Sequence, residues 1–216
     1  PAILELAKQF ADSGYQITPT FASTGKLYTQ ILHGAPFDIF LAADQKHPQM
    51  LVQQAIAEDQ FTYARGQLML VGSSTSQPLL NNSFTRLAIA NPRLAPYGAA
   101  AQELFRDMLI THQVRSKLVI GDNVGQAMAI FATGNADIAL VARSLGEQLS
   151  ADVPRWLVPP DRHSPINQDA VRLLKQPKKR PMKQSTKQPG NPAAAAFMAF
   201  LKSAEAQATI RSFGYL

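Results

Sequence analysis

The chain has 216 residues, a net charge of +6, 46% apolar residues, 17% charged residues and no cysteine. This length can bury a core without disulfides or metal, and the apolar fraction excludes a disordered or collagen-like chain. The lack of cysteine excludes a thiol nucleophile and a cysteine-based zinc site, and it is compatible with an oxidising compartment. The longest apolar run, 193–201, is far shorter than the roughly 18 residues of a membrane helix.

The positive charge is concentrated in one segment. Seven basic residues and no acidic residue lie within 172–187, and without them the net charge falls from +6 to −1. A protein that binds nucleic acid through a basic face would spread its charge more widely. The chain is therefore predicted to be a nearly neutral globule, and its lysine- and proline-rich residues 176–190 are predicted to form a flexible surface loop.

Strand-like and helix-like segments alternate along the chain. This alternation predicts an α/β fold with mixed, mainly parallel sheets flanked by helices. In chain order, the predicted elements are helix 3–11, strand 15–21, helix 26–33, strand 38–42, helix 48–57, strands 67–72 and 86–90, helix 97–109, strand 117–120, helix 124–133, strands 138–141 and 155–158, and one or two helices over 193–213.

The N-terminal end of the chain departs from the usual α/β order. It opens on a helix, whereas an α/β unit normally feeds its first helix from a strand. We therefore expect that a first strand and its following loop precede the chain. Since the first residue is Pro1, we also expect a processed product whose signal peptide is not present.

Three segments share the order strand, small or polar residues, helix: 21–25, 91–98 and 121–125. A helix start carries about half a positive charge and exposes backbone N–H groups, so it favours anions. Ligands of open α/β sheets bind at this edge of the sheet. Ordinary helix capping by Ser, Thr, Asp and Asn explains any one segment alone. Tyr97 lies between Pro96 and Gly98 outside any apolar face, so we expect its side chain to be exposed to a cleft.

Other chemistries find little support. Gly25-Lys26 resembles the end of a phosphate-binding P-loop, but Thr20 stands where its first glycine is required. The histidines lack metal-ligand spacing, no paired carboxylates can be identified, and chain order alone does not define a catalytic triad. The candidate side chains for these roles are His33, His47, His112, His163, Asp38, Asp44, Asp122 and Asp137. No catalytic residue and no metal site are predicted.

Several motifs are together similar to those of periplasmic molybdate-binding proteins of ABC importers. They cover nearly the whole chain: residues 21–28, 34–44, 91–98, 121–126, and 195–207 continuing to 213–215. The last motif is widespread among periplasmic binding proteins.

The resemblance implies a two-lobed type II periplasmic-binding fold that closes over a tetrahedral dianion, molybdate or tungstate. Lobe I would comprise 1–68 and 166–216, and lobe II 69–165. By motif, Thr24 with Ser23 beside it, Tyr97 and Val124 occupy the family's ligand positions, where hydroxyls and backbone N–H groups hold the oxyanion. The implied protein is periplasmic, not an enzyme, free of cofactors and nucleic acid, and a monomer that delivers its ligand to a membrane permease.

Two departures from the family matter. The family has a further ligand serine after its first strand, a segment that would lie before Pro1. Some members also use a tyrosine where this chain has Ala142, so the Tyr97 hydroxyl is expected to replace it. The alternatives left open are the effector-sensing domain of a transcription regulator and a binding protein for another tetrahedral oxyanion such as sulfate.

Overall fold

A computed structural model describes residues 2–174 and 191–216. The helices are α1 (Ala2–Ala11), α2 (Thr24–Leu32), α3 (Lys46–Gln53), α4 (Gln77–Leu80), α5 (Pro96–Asp107), α6 (Thr111–Val114), α7 (Val124–Ala132), α8 (Arg143–Gly146), α9 (Pro192–Leu201) and α10 (Ala204–Ser212). The strands are β1 (Ile39–Leu41), β2 (Ala57–Gly66), β3 (Leu68–Val71), β4 (Leu87–Ala90), β5 (Leu118–Gly121), β6 (Ile138–Ala142), β7 (Arg155–Leu157) and β8 (Ile166–Leu173).

The strands form two sheets, one in each of two lobes. Lobe I contains the order β1-β8-β2, and lobe II the order β5-β4-β6-β3-β7. The chain crosses from lobe I to lobe II at Gln67, between β2 and β3, and returns between β7 and β8. The predicted lobe boundaries, at 68/69 and 165/166, lie close to these crossings and stay a prediction.

The predicted α/β fold with mixed sheets is confirmed, but the expectation of mainly parallel pairing is wrong. Among the described strands, the only parallel pairs are β4 with β5 and β4 with β6. The pairs of β8 with β1 and β2, and of β3 with β6 and β7, are antiparallel. The reason is that the chain crosses directly between the sheets instead of returning through a helix after every strand.

Helices cover both faces of the lobe II sheet, so its central strands are apolar along their whole length. Along β3, Leu68 and Leu70 contribute to one core cluster, which includes Leu104 of α5. The alternate residues Met69 and Val71 belong to a second cluster, against which α7 packs. A large side chain buried in this way contributes about 1.5–3 kcal/mol.

In lobe I, the core lies between the sheet and the terminal helices. Phe10 of α1 makes an edge contact with Phe197 of α9, at 5.1 Å between ring centroids, and α10 packs beside them. The predicted helix over 193–213 is two helices. Ser203 separates them because its Oγ accepts a hydrogen bond from the Ala206 N–H and caps α10.

Some elements differ from the sequence predictions. Residues 15–21 are not a strand, and the helix predicted to reach residue 57 ends at Gln53. The two longest strands, β2 and β8, were not predicted. The reason is that the polar run Glu58, Asp59 and Gln60 follows Ala57 at the start of β2 and breaks any alternating apolar pattern; Glu58 and Gln60 are half-buried, Asp59 is exposed, and a register shift lies between Glu58 and Phe61.

The basic loop predicted over 176–190 lies outside the described residues. Arg172, the first residue of the basic segment, is part of β8 and not of a loop. Its guanidinium pairs with Glu58 at 2.6 Å and with Asp59 at 2.8 Å, so this charge is neutralised within lobe I. Within the described ranges, no helix combines the length and apolar character needed to cross a bilayer.

Candidate functional site

A cleft of about 790 Å³ lies between the two lobes. All four residues predicted to bind the oxyanion line it: Ser23, Thr24, Tyr97 and Val124. Thr24, Tyr97 and Val124 lie in the first turns of α2, α5 and α7, and Ser23 directly precedes α2. The three helix starts predicted from the sequence therefore open on one shared space, although they are separated by up to about 100 residues along the chain.

At the start of α2, two buried hydroxyls face the cleft. Ser23 precedes the helix in an extended conformation and makes no capping hydrogen bond. Its side chain is 3% exposed, and within the described part of the chain its Oγ has no hydrogen-bond partner. A buried hydroxyl without a partner is costly, so this geometry suits a ligand that accepts a hydrogen bond there. The Thr24 Oγ accepts from the Ala43 N–H at 3.1 Å and keeps its own proton to donate.

The third residue of this start, Gly25, contacts the other lobe. Its N–H donates to the Leu94 carbonyl of lobe II at 3.0 Å. A Cβ on Gly25 would lie 3.3 Å from that oxygen. Gly25 therefore lets the two lobes approach each other, and its N–H is not free for an anion.

The start of α5 offers one backbone donor. Pro96 opens the helix and has no N–H, and the Gly98 N–H donates to the Ala95 carbonyl at 2.9 Å. The Tyr97 N–H is thus the first donor at this helix end. Gly98 is required for packing, since a Cβ there would lie 2.3 Å from the Ala90 carbonyl oxygen at the end of β4.

The expectation of an exposed Tyr97 side chain is wrong. Tyr97 lies within the first turn of α5, is 4% exposed and belongs to the core of lobe II. Its hydroxyl accepts a hydrogen bond from the Gln168 side-chain amide at 3.0 Å. Burial, followed by the proximity of Tyr215 and Tyr63, raises the pKa of Tyr97 well above 10.0, so the hydroxyl stays neutral.

At the start of α7, Asn123 is the cap. Its side-chain oxygen accepts from the Gln126 N–H at 3.0 Å, and its carbonyl accepts from the Ala127 N–H at 3.1 Å. The N–H groups of Val124 and Gly125 have no protein acceptor in the described residues. Since both residues line the cleft, this helix end presents two neighbouring donors.

The described lining of the cleft contains no lysine, arginine or histidine. Its donors are neutral, and the positive ends of three helix dipoles supply the attraction for an anion. At the outer edge, Lys26 pairs with Asp122 at 2.5 Å across the two lobes, with side chains 44% and 54% exposed. We call this the rim pair.

The inner end of the cleft holds a neutral hydrogen-bonded network that sequence reasoning missed. The Tyr63 hydroxyl donates to the Gln168 side-chain oxygen at 3.0 Å, and the Ser144 hydroxyl donates to the Tyr215 hydroxyl at 3.2 Å. With Tyr97, these residues form what we call the floor. They come from β2, α5, α8, β8 and the C-terminal residues after α10, so no local motif joins them.

The remaining polar candidates do not form a centre of their own. No group of three or more His, Asp or Glu side chains among the described residues could hold a metal ion. Three of the four candidate aspartates are engaged separately: Asp44 pairs with His47, Asp122 pairs with Lys26, and Asp137 accepts from the N–H groups of Thr85 and Arg86. These backbone hydrogen bonds, that of Arg86 first, lower the pKa of Asp137. The fourth, Asp38, is exposed and lies in the lining of the cleft.

Comparison with known proteins places this architecture in a family. The model of the bacterial extracellular solute-binding protein family matches residues 1–216. The chain therefore belongs to this family of two-lobed binding proteins.

Particular relatives are more informative. The chain is 39% identical to the molybdate-binding protein ModA of Azotobacter vinelandii, over 98% of the chain and 83% of that protein. It is 37% identical to ModA of Rhodobacter capsulatus, over 94% of the chain and 79% of that protein. The solved structure of the periplasmic molybdate-binding protein of A. vinelandii superposes with a TM-score of 0.87 at 32% identity, covering all of this chain and 94% of that one.

Proposed function

We propose that the chain is a periplasmic binding protein that captures molybdate or tungstate between its lobes and delivers it to the permease of an ABC importer. It acts by binding and not by catalysis, needs no cofactor, and works as a monomer without nucleic acid. The similarity to two molybdate-binding proteins supports the choice of ligand. Ser23, Thr24, Tyr97 and Val124 are the proposed ligand residues.

One observation carries the proposal most directly. The Ser23 hydroxyl is buried and has no hydrogen-bond partner among the described residues, in a cleft on which three helix starts open and whose described lining has no basic side chain. A bare cation would meet N–H and O–H donors there, whereas a dianion would accept from them. The Thr24 hydroxyl and the N–H groups of Tyr97, Val124 and Gly125 complete a set of neutral donors.

The number and rigidity of the donors account for the proposed selectivity. Molybdate and tungstate carry the same charge as sulfate but are larger, so net attraction alone does not separate them. The donors are fixed by helix backbones packed on the sheets, and a close-packed protein resists changes in the size of a cavity. A smaller anion would leave some of these donors unsatisfied, at a cost for each.

Calorimetric titration of the protein with molybdate, tungstate and sulfate tests this function. We expect molybdate and tungstate to bind at least about ten-fold more tightly than sulfate, because unsatisfied donors penalise the smaller anion. Equal affinity for sulfate would contradict the proposed ligand, and no binding of any of the three would contradict an oxyanion-binding function.

Substitution of Ser23 tests the site. Ser23→Ala removes one buried donor, so molybdate affinity should fall about ten-fold or more. The matched control is Ser74→Ala, since Ser74 is exposed and lies outside the cleft lining. An unchanged affinity in the Ser23 variant would remove this hydroxyl from the proposed ligand set.

A further inference from the structure

The last residue of β2, Gly66, leaves a space that the Tyr97 side chain occupies. A Cβ built on Gly66 would lie 2.1 Å from the Tyr97 hydroxyl oxygen and 2.8 Å from the Gln168 side-chain nitrogen. Both distances are too short for real contacts. Any side chain at this position would therefore have to displace the Tyr97 hydroxyl or the Gln168 amide, whereas glycine lets the Tyr97 side chain of lobe II reach the backbone of lobe I.

Gln168 closes the other side of this space. It lies on β8, is 4% exposed, and uses both ends of its amide. Its oxygen accepts from the Tyr63 hydroxyl at 3.0 Å, and its nitrogen donates to the Tyr97 hydroxyl at 3.0 Å. Because Tyr63 holds the oxygen, the amide presents its N–H to Tyr97. We call Gly66 and Gln168 together the notch.

We propose that Gln168 is a positioning residue for anion binding: with Gly66, it forms a notch that holds Tyr97 and thereby fixes the donor end of α5 against lobe I. This inference rests on the proposed function of the three helix starts. Gln168 need not touch the anion. It acts through Tyr97, whose hydroxyl is held in the notch and whose backbone N–H is the first donor of α5.

The place of the notch in the chain explains why such a device is effective. Gly66 is followed by Gln67, where the chain crosses to lobe II, so the notch lies beside the point about which the lobes would rotate. The Tyr97–Gln168 contact therefore joins the two lobes directly beside the chain connection between them. The Tyr97 side chain is also packed in the core of lobe II, so its orientation is transmitted to the whole first turn of α5.

The first test is Gln168→Met, which keeps the length of the side chain and removes both hydrogen bonds. We expect the affinity for molybdate, measured by calorimetry, to fall about three- to ten-fold, the equivalent of one net hydrogen bond. Gln9→Met is the matched control. Gln9 also uses both ends of its amide, to Thr209, but it joins two helices of lobe I outside the cleft lining. Its substitution should leave the affinity unchanged.

A double-mutant cycle tests whether Gly66 acts through Tyr97. Gly66→Ala should weaken molybdate binding in the wild-type background, because the new methyl group displaces the Tyr97 hydroxyl. In the Tyr97→Phe background the hydroxyl oxygen nearest to the new methyl group is absent. The fold-loss of molybdate affinity caused by Gly66→Ala should therefore be at least about three times smaller there than in the wild type. An equal cost in both backgrounds would show that Gly66 acts apart from Tyr97 and would overturn the notch.

A measurement without any anion separates this inference from the proposed function. The chain has no cysteine, so spin labels can be placed at Lys8→Cys in lobe I and Gln113→Cys in lobe II, both exposed. We expect one narrow distance distribution in the ligand-free protein and a broader one after Gln168→Met. If molybdate fails to bind the wild type, the proposed function fails, and the distance distribution alone still decides the notch.

The remaining outcomes are decisive as well. A Gln168→Met variant with unchanged distances contradicts positioning, whether or not its affinity falls. A broader distribution with unchanged molybdate affinity also overturns the inference, because the orientation of α5 would then not matter for binding.

Discussion

The two lobes are joined at the floor and at the rim of the cleft by contacts of opposite character. At the floor, Tyr97 meets Gln168, and Ser144 meets Tyr215, through neutral and largely buried groups. At the rim, Lys26 meets Asp122 through full charges that stay about half exposed. The closer contact is the charged one, at 2.5 Å against 3.0 and 3.2 Å.

Distance alone therefore misjudges which contact matters more. An exposed ion pair is weakened by water and salt and contributes little net stability. A buried neutral hydrogen bond is also modest when intact, but losing one partner leaves a polar group without water or protein to satisfy it. We expect the floor to set the relative position of the lobes, and the rim pair to adjust it slightly.

The largest expected effect comes from breaking the floor. Tyr97→Phe leaves the Gln168 side-chain N–H buried without its acceptor, so the free energy of unfolding should fall by about 1–3 kcal/mol. Urea denaturation at pH 7 measures it. Tyr15→Phe, at a tyrosine that is 39% exposed, is the control and should have little effect. If Tyr97→Phe were as stable as Tyr15→Phe, the floor would not hold the lobes more strongly than the rim pair does.

The floor should also respond to alkaline pH. Burial is the largest cause that raises the pKa values of Tyr63, Tyr97 and Tyr215 above 10.0. These tyrosines stay protonated in the folded state where the unfolded chain ionises. Their contribution is therefore fully present below pH 10, and stability declines as the pH rises from there towards the folded-state pKa values.

Tyr97→Phe removes one of these titrating groups. The free energy of unfolding of the variant should therefore fall less steeply with pH above 10 than that of the wild type, and the two slopes should differ by up to about 1.4 kcal/mol per pH unit. Urea denaturation from pH 8 to 11 measures the two slopes. Parallel curves for the variant and the wild type would show that Tyr97 does not titrate differently in the two states.

The smallest effect is expected at the rim. Lys26→Met, Asp122→Asn and their combination should each change the free energy of unfolding by at most about 1 kcal/mol. The same variants should release molybdate about threefold faster or less, in stopped-flow measurements at low salt. At high salt the difference from the wild type should vanish, because the charges are screened. If the rim variants lost as much stability as Tyr97→Phe, and the loss did not depend on salt, the rim pair would matter as much as the floor and the comparison between the two regions would be wrong.

The local parts of the site were predictable because each depends on a short segment. The α/β class and the starts of α2, α5 and α7 follow from apolar periodicity and from the residues that begin each helix. Sequence motifs alone indicate Ser23, Thr24, Tyr97 and Val124 as ligand positions, and the fold brings all four to one cleft. What each group does there was less predictable: Gly25 contacts Leu94, and Tyr97 is buried.

The sequence by itself determined the longer helices, the apolar strands of lobe II and the backbone donors at the three helix starts, because these depend on side chains that are neighbours along the chain. Only the tertiary structure decided the pairing of β2 with β8, the space at Gly66 and the contact of Gln168 with Tyr63 and Tyr97. Gln168 lies 71 residues from Tyr97. No local pattern encodes such a contact, since it exists only when two lobes are packed around the same cleft.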